Sequence, residues 1–385
     1  MTNERPARGG RKLRVGVLFG GQSSEHAVSL ASAQSVIAAL DPDAYEIVPI
    51  GITRQGQWLA SGDPMRDLLA AGGQLTEKPP ETTAASNAIS IIPAARDTAL
   101  TAGPEGASRE LHRLDVVFPV LHGPFGEDGT VQGFLELADI AYVGSGVRGS
   151  AAGMDKAMMK ALFRDAGLPT PRTQLVRESE WEHAPGDVIR RLVAAVGLPC
   201  FIKPANMGSS VGVSKAETEG DIPNALIEAF RFDVDGRVVV EETIVGREVE
   251  CSVLGNEDPQ ASAVGEIIVQ GHAFYDYAAK YTDPATRLRI PADLPPPIAD
   301  EVRRCAVEAF RAIDAQGLAR VDFFYDEAHE RVLINEINTM PGFTSTSMYA
   351  MMWQAVGVSY GELVDRLIAL AIARHDRRRR RRGEA

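Results

Sequence analysis

The sequence predicts a mixed α/β chain, with a doubly wound N-terminal region followed by α+β regions built on antiparallel sheet. Three observations predict it. Residues 15–21 form a continuous apolar run ending in Gly-Gly; an Ala-rich helical segment (29–40) and a second strand (45–52) follow, the start of a βαβ unit. Near the other end, residues 319–325 and 332–338 alternate with a period of two, and the polar residues 326–331 between them suit a hairpin turn. Between these regions, residues 201–213 set a lysine and a Gly/Ser-rich loop between two strand-forming runs.

The remaining elements follow in order. Residues 60–108 are rich in Ala, Gly, Pro and Thr with weak periodicity, and are expected as an insertion of loops and short elements. A buried strand returns at 115–121, a helix at 129–138 and a short strand at 140–143, closing the first region near Gly146. Helices are expected over 151–166 and 187–196, and strands over 200–203, 211–215 and 238–242, the last leading into the third region. Residues 248–254, 263–269, 320–325 and 332–338 read as one larger antiparallel sheet. A helix from 301 to 313 packs on it, and a terminal helix spans 361–373.

Length and composition bound the function. The 385 residues suffice for two or three domains sharing extended interfaces, and 45% hydrophobic with 24% charged residues is ordinary for a globular protein. The longest apolar runs fall far short of a membrane span, and the charged first 14 residues lack the apolar core of a secretory signal. The three cysteines, Cys200, Cys251 and Cys305, are spaced too widely for a zinc motif, so a cytoplasmic location is expected. A net charge of −12 argues against a general nucleic-acid binder. Against that average, residues 377–382 are six consecutive arginines, expected as a solvated, disordered tail.

Side-chain alternation points to chemistry on the last strand pair. Residues two apart share a strand face, so Arg320 and Asp322 point together, as do Glu336 and Asn338. A turn centred near His329 sets Asp322 opposite Glu336. Two carboxylates and an amide make an all-oxygen set that suits Mg²⁺, with water and nucleotide phosphates completing the shell. A salt-bridged exposed sheet face is the alternative. The polar, Gly/Pro-shaped loop at 339–347 leaves the end of that strand, where ligands are usually met.

Lys203 with Gly208, Ser209, Ser210 and Gly212 forms a candidate phosphate-covering loop, because glycines let amide N–H groups approach an anion closely. It is not a Walker A loop, since the chain contains no Gly-Lys pair. Residues 144–149 match G-x-G-x-x-G, but too late in the domain and with no acidic strand end at the expected spacing; they read as a domain-joining turn. Glu241, the Ile244 backbone and Glu248 are candidate contacts to an adenine amine, its ring and ribose hydroxyls; solvated glutamates on an ordinary strand are the alternative. His122 and Glu25 lie in two polar, Gly-rich strand ends, where a doubly wound domain presents ligand groups.

Together these segments resemble the D-alanine–D-alanine ligases of the ATP-grasp superfamily. Six motifs stand in the family's order: LFGGQSSEHAVSL, HGPFGEDGTVQG, GMDKAMMK, KPANMGSSVGVSK, YDYAAKY and INEINTMPGFTSTS. The resemblance runs from Val15 to about Ala373. It implies an N-terminal α/β domain (13–147), a central ATP-grasp subdomain (148–240) and a C-terminal one (241–373), with residues 1–12 disordered and 374–385 an Arg-rich tail. The resemblance implies ATP as co-substrate and two Mg²⁺ ions, for which Mn²⁺ can substitute. Asp322, Glu336 and Asn338 would be the metal ligands, with Glu336 bridging. Lys156 and Lys203 would bind phosphates under the Ser209–Ser210 loop, aided by Lys215 and Lys280; Glu241, Ile244, Glu248 and Asn335 would complete the nucleotide site.

The substrate roles follow by the same resemblance. Glu25 would meet the first D-alanine's ammonium beside His122, and Ser347 the second substrate's carboxylate. Tyr281, on a lid over about 274–286, would link with Ser209 and Glu25. Arg320 and the Gly342 amide would stabilise the oxyanion. A homodimer is the expected assembly. A D-alanine–D-lactate ligase is the nearest rival, disfavoured because Tyr281 stands where such relatives typically carry histidine. Two others are an ATP-grasp ligase with a different acceptor and a nucleotide-binding regulatory module without chemistry, the latter opposed by the intact Asp322, Glu336, Asn338, Lys203 and Arg320.

Overall fold

The structure is a computed structural model that describes residues 11–60, 62–70, 114–268 and 287–383, together with three short strands at 89–92, 99–102 and 109–112. Of residues 1–12, expected to be disordered, 1–10 lie outside the described residues, whereas Arg11 pairs with Asp115 at 2.5 Å and Lys12 donates to the Pro42 carbonyl at 2.6 Å.

The first unit comprises β1 (Leu13–Gly20), α1 (His26–Ala39), β2 (Tyr45–Ile52), β3 (Trp58–Leu59), α2 (Pro64–Ala70), β4 (Ile89–Ile92), β5 (Ala99–Ala102), β6 (Arg109–His112), β7 (Val116–Pro119), α3 (Thr130–Leu137) and β8 (Ala141–Tyr142). Its sheet runs β3-β2-β1-β7-β8, with β1 parallel to both β2 and β7. β1 is buried over nearly its whole length because helices cover both faces of such a sheet, which is why its sequence is a continuous apolar run. β4 and β5 of the expected insertion pair with β6, just beyond it, as an antiparallel meander.

The second unit holds α4 (Val147–Met154), α5 (Lys156–Asp165), β9 (Thr173–Arg177), α6 (Glu178–His183), α7 (Pro185–Val196), β10 (Cys200–Pro204), β11 (Ser214–Ala216), α8 (Ile222–Phe230) and β12 (Arg237–Glu242). Its antiparallel sheet is ordered β11-β10-β12-β9. The helix expected over 151–166 is instead two. Asp155 takes an extended backbone between them, and its side chain accepts the Met158 N–H at 2.9 Å, capping α5. The break puts Lys156 at the first position of the new helix, beside the Gly/Ser loop.

The third unit contains β13 (Arg247–Gly255), β14 (Gln260–Ile268), β15 (Arg287–Arg289), α9 (Pro296–Ala312), β16 (Gly317–Asp326), β17 (Arg331–Asn338), α10 (Met348–Gln354) and α11 (Tyr360–Arg382). Its sheet order is β15-β14-β13-β16-β17. Asp322 pairs with Glu336 and Arg320 with Asn338, the register expected from the turn. The pairing then slips, setting Phe323 opposite Ile334, so Asn335 is the extra residue of a bulge. Strict alternation would turn Asn335 away from Glu336. The bulge lets both reach the same cleft.

The terminal helix differs most from expectation. It continues through the arginines to Arg382 instead of ending near Ala373. Its apolar face (Leu363, Leu367, Ile368, Ala371) joins the core formed by β1, β7 and α1, so the end of the chain closes the first sheet. Arg374 is buried over the Tyr142 ring, 4.4 Å from its centroid, and donates to the carbonyls of Tyr142 and Gly144. Arg378 reaches Glu136 at 2.6 Å, Arg379 lies 3.6 Å from Asp139, and Arg377 pairs with Glu257. The run is no disordered tail. It is helical because α11 is already nucleated on the core, and carboxylates of two units offset its charge.

Candidate active site

The three units meet around a cleft of about 870 Å³. Every candidate residue that the structure describes lines it except Gly212, which shapes the loop from behind. Glu25 and His122 come from the first unit; Lys156, Lys203, Ser209, Ser210, Lys215 and Glu241 from the second; Ile244 from the connection to β13. Glu248, Arg320, Asp322, Asn335, Glu336 and Asn338 come from the third sheet, and Gly342 and Ser347 from the loop after β17. Lys280 and Tyr281, with the lid expected around them, lie outside the described residues. The Gly144–Gly149 turn joins β8 to α4, away from the cleft lining, where Gly149 packs on the Asp314 backbone.

On β16 and β17 the charged groups interlock. The Arg320 guanidinium grips both Asp322 oxygens at 2.7 Å, and the Asn338 amide donates to Asp322 at 3.0 Å. The same Arg320 Nε that donates to Asp322 also lies 3.0 Å from Glu250. Glu250 is a buried carboxylate the sequence reading did not single out, set opposite Asp322 on β13. A signal was available: Glu248, Glu250 and Ser252 are spaced two apart on a strand whose intervening residues are apolar. Two carboxylates now hold Arg320 in one pose, so its charge is aimed before any substrate arrives. Among the described residues no group of three or more His, Cys, Asp or Glu is placed to hold a metal ion. Asp322 and Glu336 with the Asn338 amide instead fit a hard cation that completes its shell with water and phosphate oxygens.

A second cluster lies behind the phosphate loop. Glu241, buried on β12, accepts from Lys203 at 2.8 Å and pairs with Lys160 at 3.0 Å. Burial works against its charge, but the two lysines outweigh it and push its pKa down to about 2. Lys203 also donates to the Asn335 side-chain oxygen, Oδ1, at 3.5 Å. Lys160, fully buried on α5, is a further residue that sequence reasoning missed, because a lysine inside a helical segment reads as a solvated face. Lys156 donates to the Met207 carbonyl at 2.5 Å, and Lys215 pairs with Glu217 at 2.7 Å.

The loop between β10 and β11 carries backbone strain. Ser209 and Ser210 both adopt left-handed angles, with φ of +52° and +57°. Gly212 is also left-handed, and a Cβ there would stand 2.6 Å from the Phe232 ring. Ser209 donates to Glu25 at 2.5 Å, joining the phosphate loop to the first unit. His122 bridges two units: one ring nitrogen lies 3.0 Å from the Met340 carbonyl and 3.6 Å from Glu127, the other 3.3 Å from Ser32. Burial alone would lower the His122 pKa, but Glu127 raises it; burial raises that of Glu127. In the last loop Ser347 accepts the Thr344 N–H at 3.0 Å, and its hydroxyl meets that of Thr344 at 2.7 Å.

A three-unit body with its ligand groups between two antiparallel sheets, a Gly/Ser loop over one and paired carboxylates on the other, has the ATP-grasp arrangement. Comparisons with known proteins sharpen this. The D-ala D-ala ligase N-terminus family model matches residues 14–145, and the D-ala D-ala ligase C-terminus model matches residues 162–369. The D-alanine–D-alanine ligase of Geobacillus kaustophilus is 47% identical, covering 94% of this chain and 96% of that one. That of Pseudarthrobacter chlorophenolicus is 46% identical, covering 97% of each. Among solved structures, the D-alanine–D-alanine ligase from Coxiella burnetii superposes with a TM-score of 0.79 at 35% identity, covering 96% of both chains. The VanG D-Ala:D-Ser ligase from Enterococcus faecalis gives 0.80 at 34% identity, covering 94% of this chain and all of that one. The chain belongs to the D-alanine–D-alanine ligase family of ATP-dependent ligases.

Proposed function

We propose that this chain joins two D-alanines at the expense of ATP, through a D-alanyl phosphate, giving D-alanyl-D-alanine, ADP and phosphate for peptidoglycan precursor synthesis. The observation that carries the reading is convergence: Asp322 and Glu336, Lys156 and Lys203, Arg320, and Glu25 bound to Ser209 all face one cleft. A carboxylate is a poor electrophile, and transfer of the γ-phosphoryl group gives it a leaving group. Lys156 and Lys203 neutralise charge as that group moves, with Lys215 and, on the lid, Lys280 nearby. Asp322, Glu336 and Asn338 would hold two Mg²⁺ (or Mn²⁺), which supply charge neutralisation on the phosphate oxygens. The adenine faces Glu241 and the Ile244 backbone, and Glu248 meets the ribose.

Glu25 orients the first D-alanine by its ammonium, beside His122. The second D-alanine binds by its carboxylate at Ser347; its amine, once deprotonated, attacks the acyl phosphate, and phosphate leaves. Arg320, held by Asp322 and Glu250, and the Gly342 N–H meet the oxyanion. Tyr281 on the lid completes the link with Ser209 and Glu25, and closure excludes water that would hydrolyse the intermediate. The reading includes a cytoplasmic homodimer. Among the described residues no helix is long and apolar enough to cross a membrane.

The likeness to a D-Ala:D-Ser ligase makes acceptor choice the point to test. The experiment measures ADP release and product identity with D-alanine alone and in competition with D-serine, D-lactate and L-alanine. D-alanyl-D-alanine is expected to dominate at pH 7. Mostly ester or mostly D-alanyl-D-serine would overturn the acceptor assignment, and no ADP release with any of them would overturn the ligase reading.

A further inference from the structure

We infer that Lys160 is a positioning residue whose task is to neutralise Glu241, leaving the charge of Lys203 for the nucleotide. The inference rests on the nucleotide-binding reading of the cleft. Lys160 does not line the cleft, so it acts on the ligand only through its neighbours. It is 1% exposed, on the first turns of α5, and its ammonium sits 3.0 Å from one Glu241 oxygen while Lys203 takes the other at 2.8 Å. The further contact is a weak one, 3.4 Å to the Ile334 carbonyl.

The charges decide the argument. Two ammonium groups share the one carboxylate of Glu241, so this trio carries one positive charge in excess, with Glu336 and Glu248 acting on Lys203 from the cleft lining. Of the two lysines only Lys203 lines the cleft, beside Glu241, and the excess is presented there. Remove Lys160 and the excess is gone: a buried carboxylate cannot stay unpaired, so Lys203 would be drawn fully onto Glu241. An anionic nucleotide would then compete with Glu241 for Lys203. Glu241 in turn is held with one oxygen committed to Lys160, which fixes the carboxylate where the adenine is expected. GMDKAMMK thus contains two lysines with different tasks, Lys156 directed at the phosphate loop and Lys160 at the carboxylate behind it.

The test is a double-mutant cycle on the full chain, read by calorimetric titration of ADP with Mg²⁺ and by melting temperature. The four proteins are wild type, Lys160→Met, Glu241→Gln and the double variant. Lys160→Met is expected to weaken ADP binding by ~10-fold or more. The double variant is expected to bind at least ~3-fold tighter than Lys160→Met, because a neutral amide in place of the Glu241 carboxylate no longer captures Lys203. A merely structural lysine predicts additive losses, with the double variant no tighter than Lys160→Met; that result, or unchanged affinity in Lys160→Met, overturns the inference. If Lys160→Met does not fold, the double variant decides. A folded double variant binding ADP like Glu241→Gln supports the inference, and an unfolded one overturns it. Wild type that binds no ADP would overturn the nucleotide reading itself, a result distinct from all of these.

Discussion

The lysines at the wall of the cleft and the arginines at the end of α11 are both cationic clusters set against carboxylates, but the first is largely buried and the second is far more open to water. In the first, Lys160, Lys203 and Glu241 have few alternatives to each other, and burial makes every charge depend on its partners. In the second, Arg378 and Arg379 are each roughly two-fifths exposed, and solvent screens their pairs with Glu136 and Asp139. Arg374 belongs to the second cluster by sequence and to the first by burial. The comparison teaches that sequence proximity in a charge run says little about energetics; the depth of each side chain does.

The largest effect is expected in the cleft. Glu336→Gln removes a carboxylate opposite Asp322 and should lower turnover by ~100-fold or more, as the loss of charge stabilisation at a reacting centre does. Steady-state ADP release checks it, and near-normal turnover in a folded variant would sink the assignment of the patch. Arg374→Ala comes next. It strips the Tyr142 and Gly144 carbonyls of a charged donor and leaves a gap over the Tyr142 ring, so a loss of ~2 kcal/mol or more is expected from denaturant unfolding. A variant as stable as wild type would break the distinction drawn between Arg374 and its exposed neighbours.

Acid titration sharpens the same comparison. The folded pKa of Glu241 lies near 2, below the ordinary 4.5, so its charge stabilises the fold fully above about pH 4.5. That contribution is lost as pH falls through the folded value, since the unfolded chain binds the proton first. Glu241→Gln should therefore flatten the dependence of stability on pH between about 4.5 and 2, and an unchanged slope would mean the cluster does not hold the carboxylate ionised. The smallest effect is expected from deleting residues 377–385. Exposed pairs contribute ~0.2–1 kcal/mol each, so the melting temperature should fall by a few degrees, and the difference should shrink in high salt. A collapse of the fold would show that the arginines carry more than solvated bridges do.

Much of the site was legible because its chemistry sits on short, strongly patterned segments. Alternation in 319–325 and 332–338, with the polar turn between, was enough to set Asp322 opposite Glu336. The bulge that admits Asn335 was not, since it comes from packing between two strands and leaves no mark on the alternation of either. Lys160 and Glu250 were missed for a related reason. Each is a charged residue within an element that reads correctly as helix or strand, and only the facing element shows that its charge is buried and paired.

By itself the sequence determined the opening βαβ unit with its apolar β1, the Lys203 loop with its glycine, and the carboxylate strand pair, because these depend on local sterics and on periods of two and 3.6; the strand at Thr173–Arg177 and the helices at Ile222–Phe230 and Met348–Gln354 were not read from it. The tertiary structure decided where α5 begins, which carboxylate each lysine and arginine serves, and that α11 closes the first sheet and runs through its arginines. Those outcomes depend on groups far apart in the chain being brought out of water together. Burial, which turns a solvated charge into a committed pair, is a property of the assembled molecule and of no segment alone.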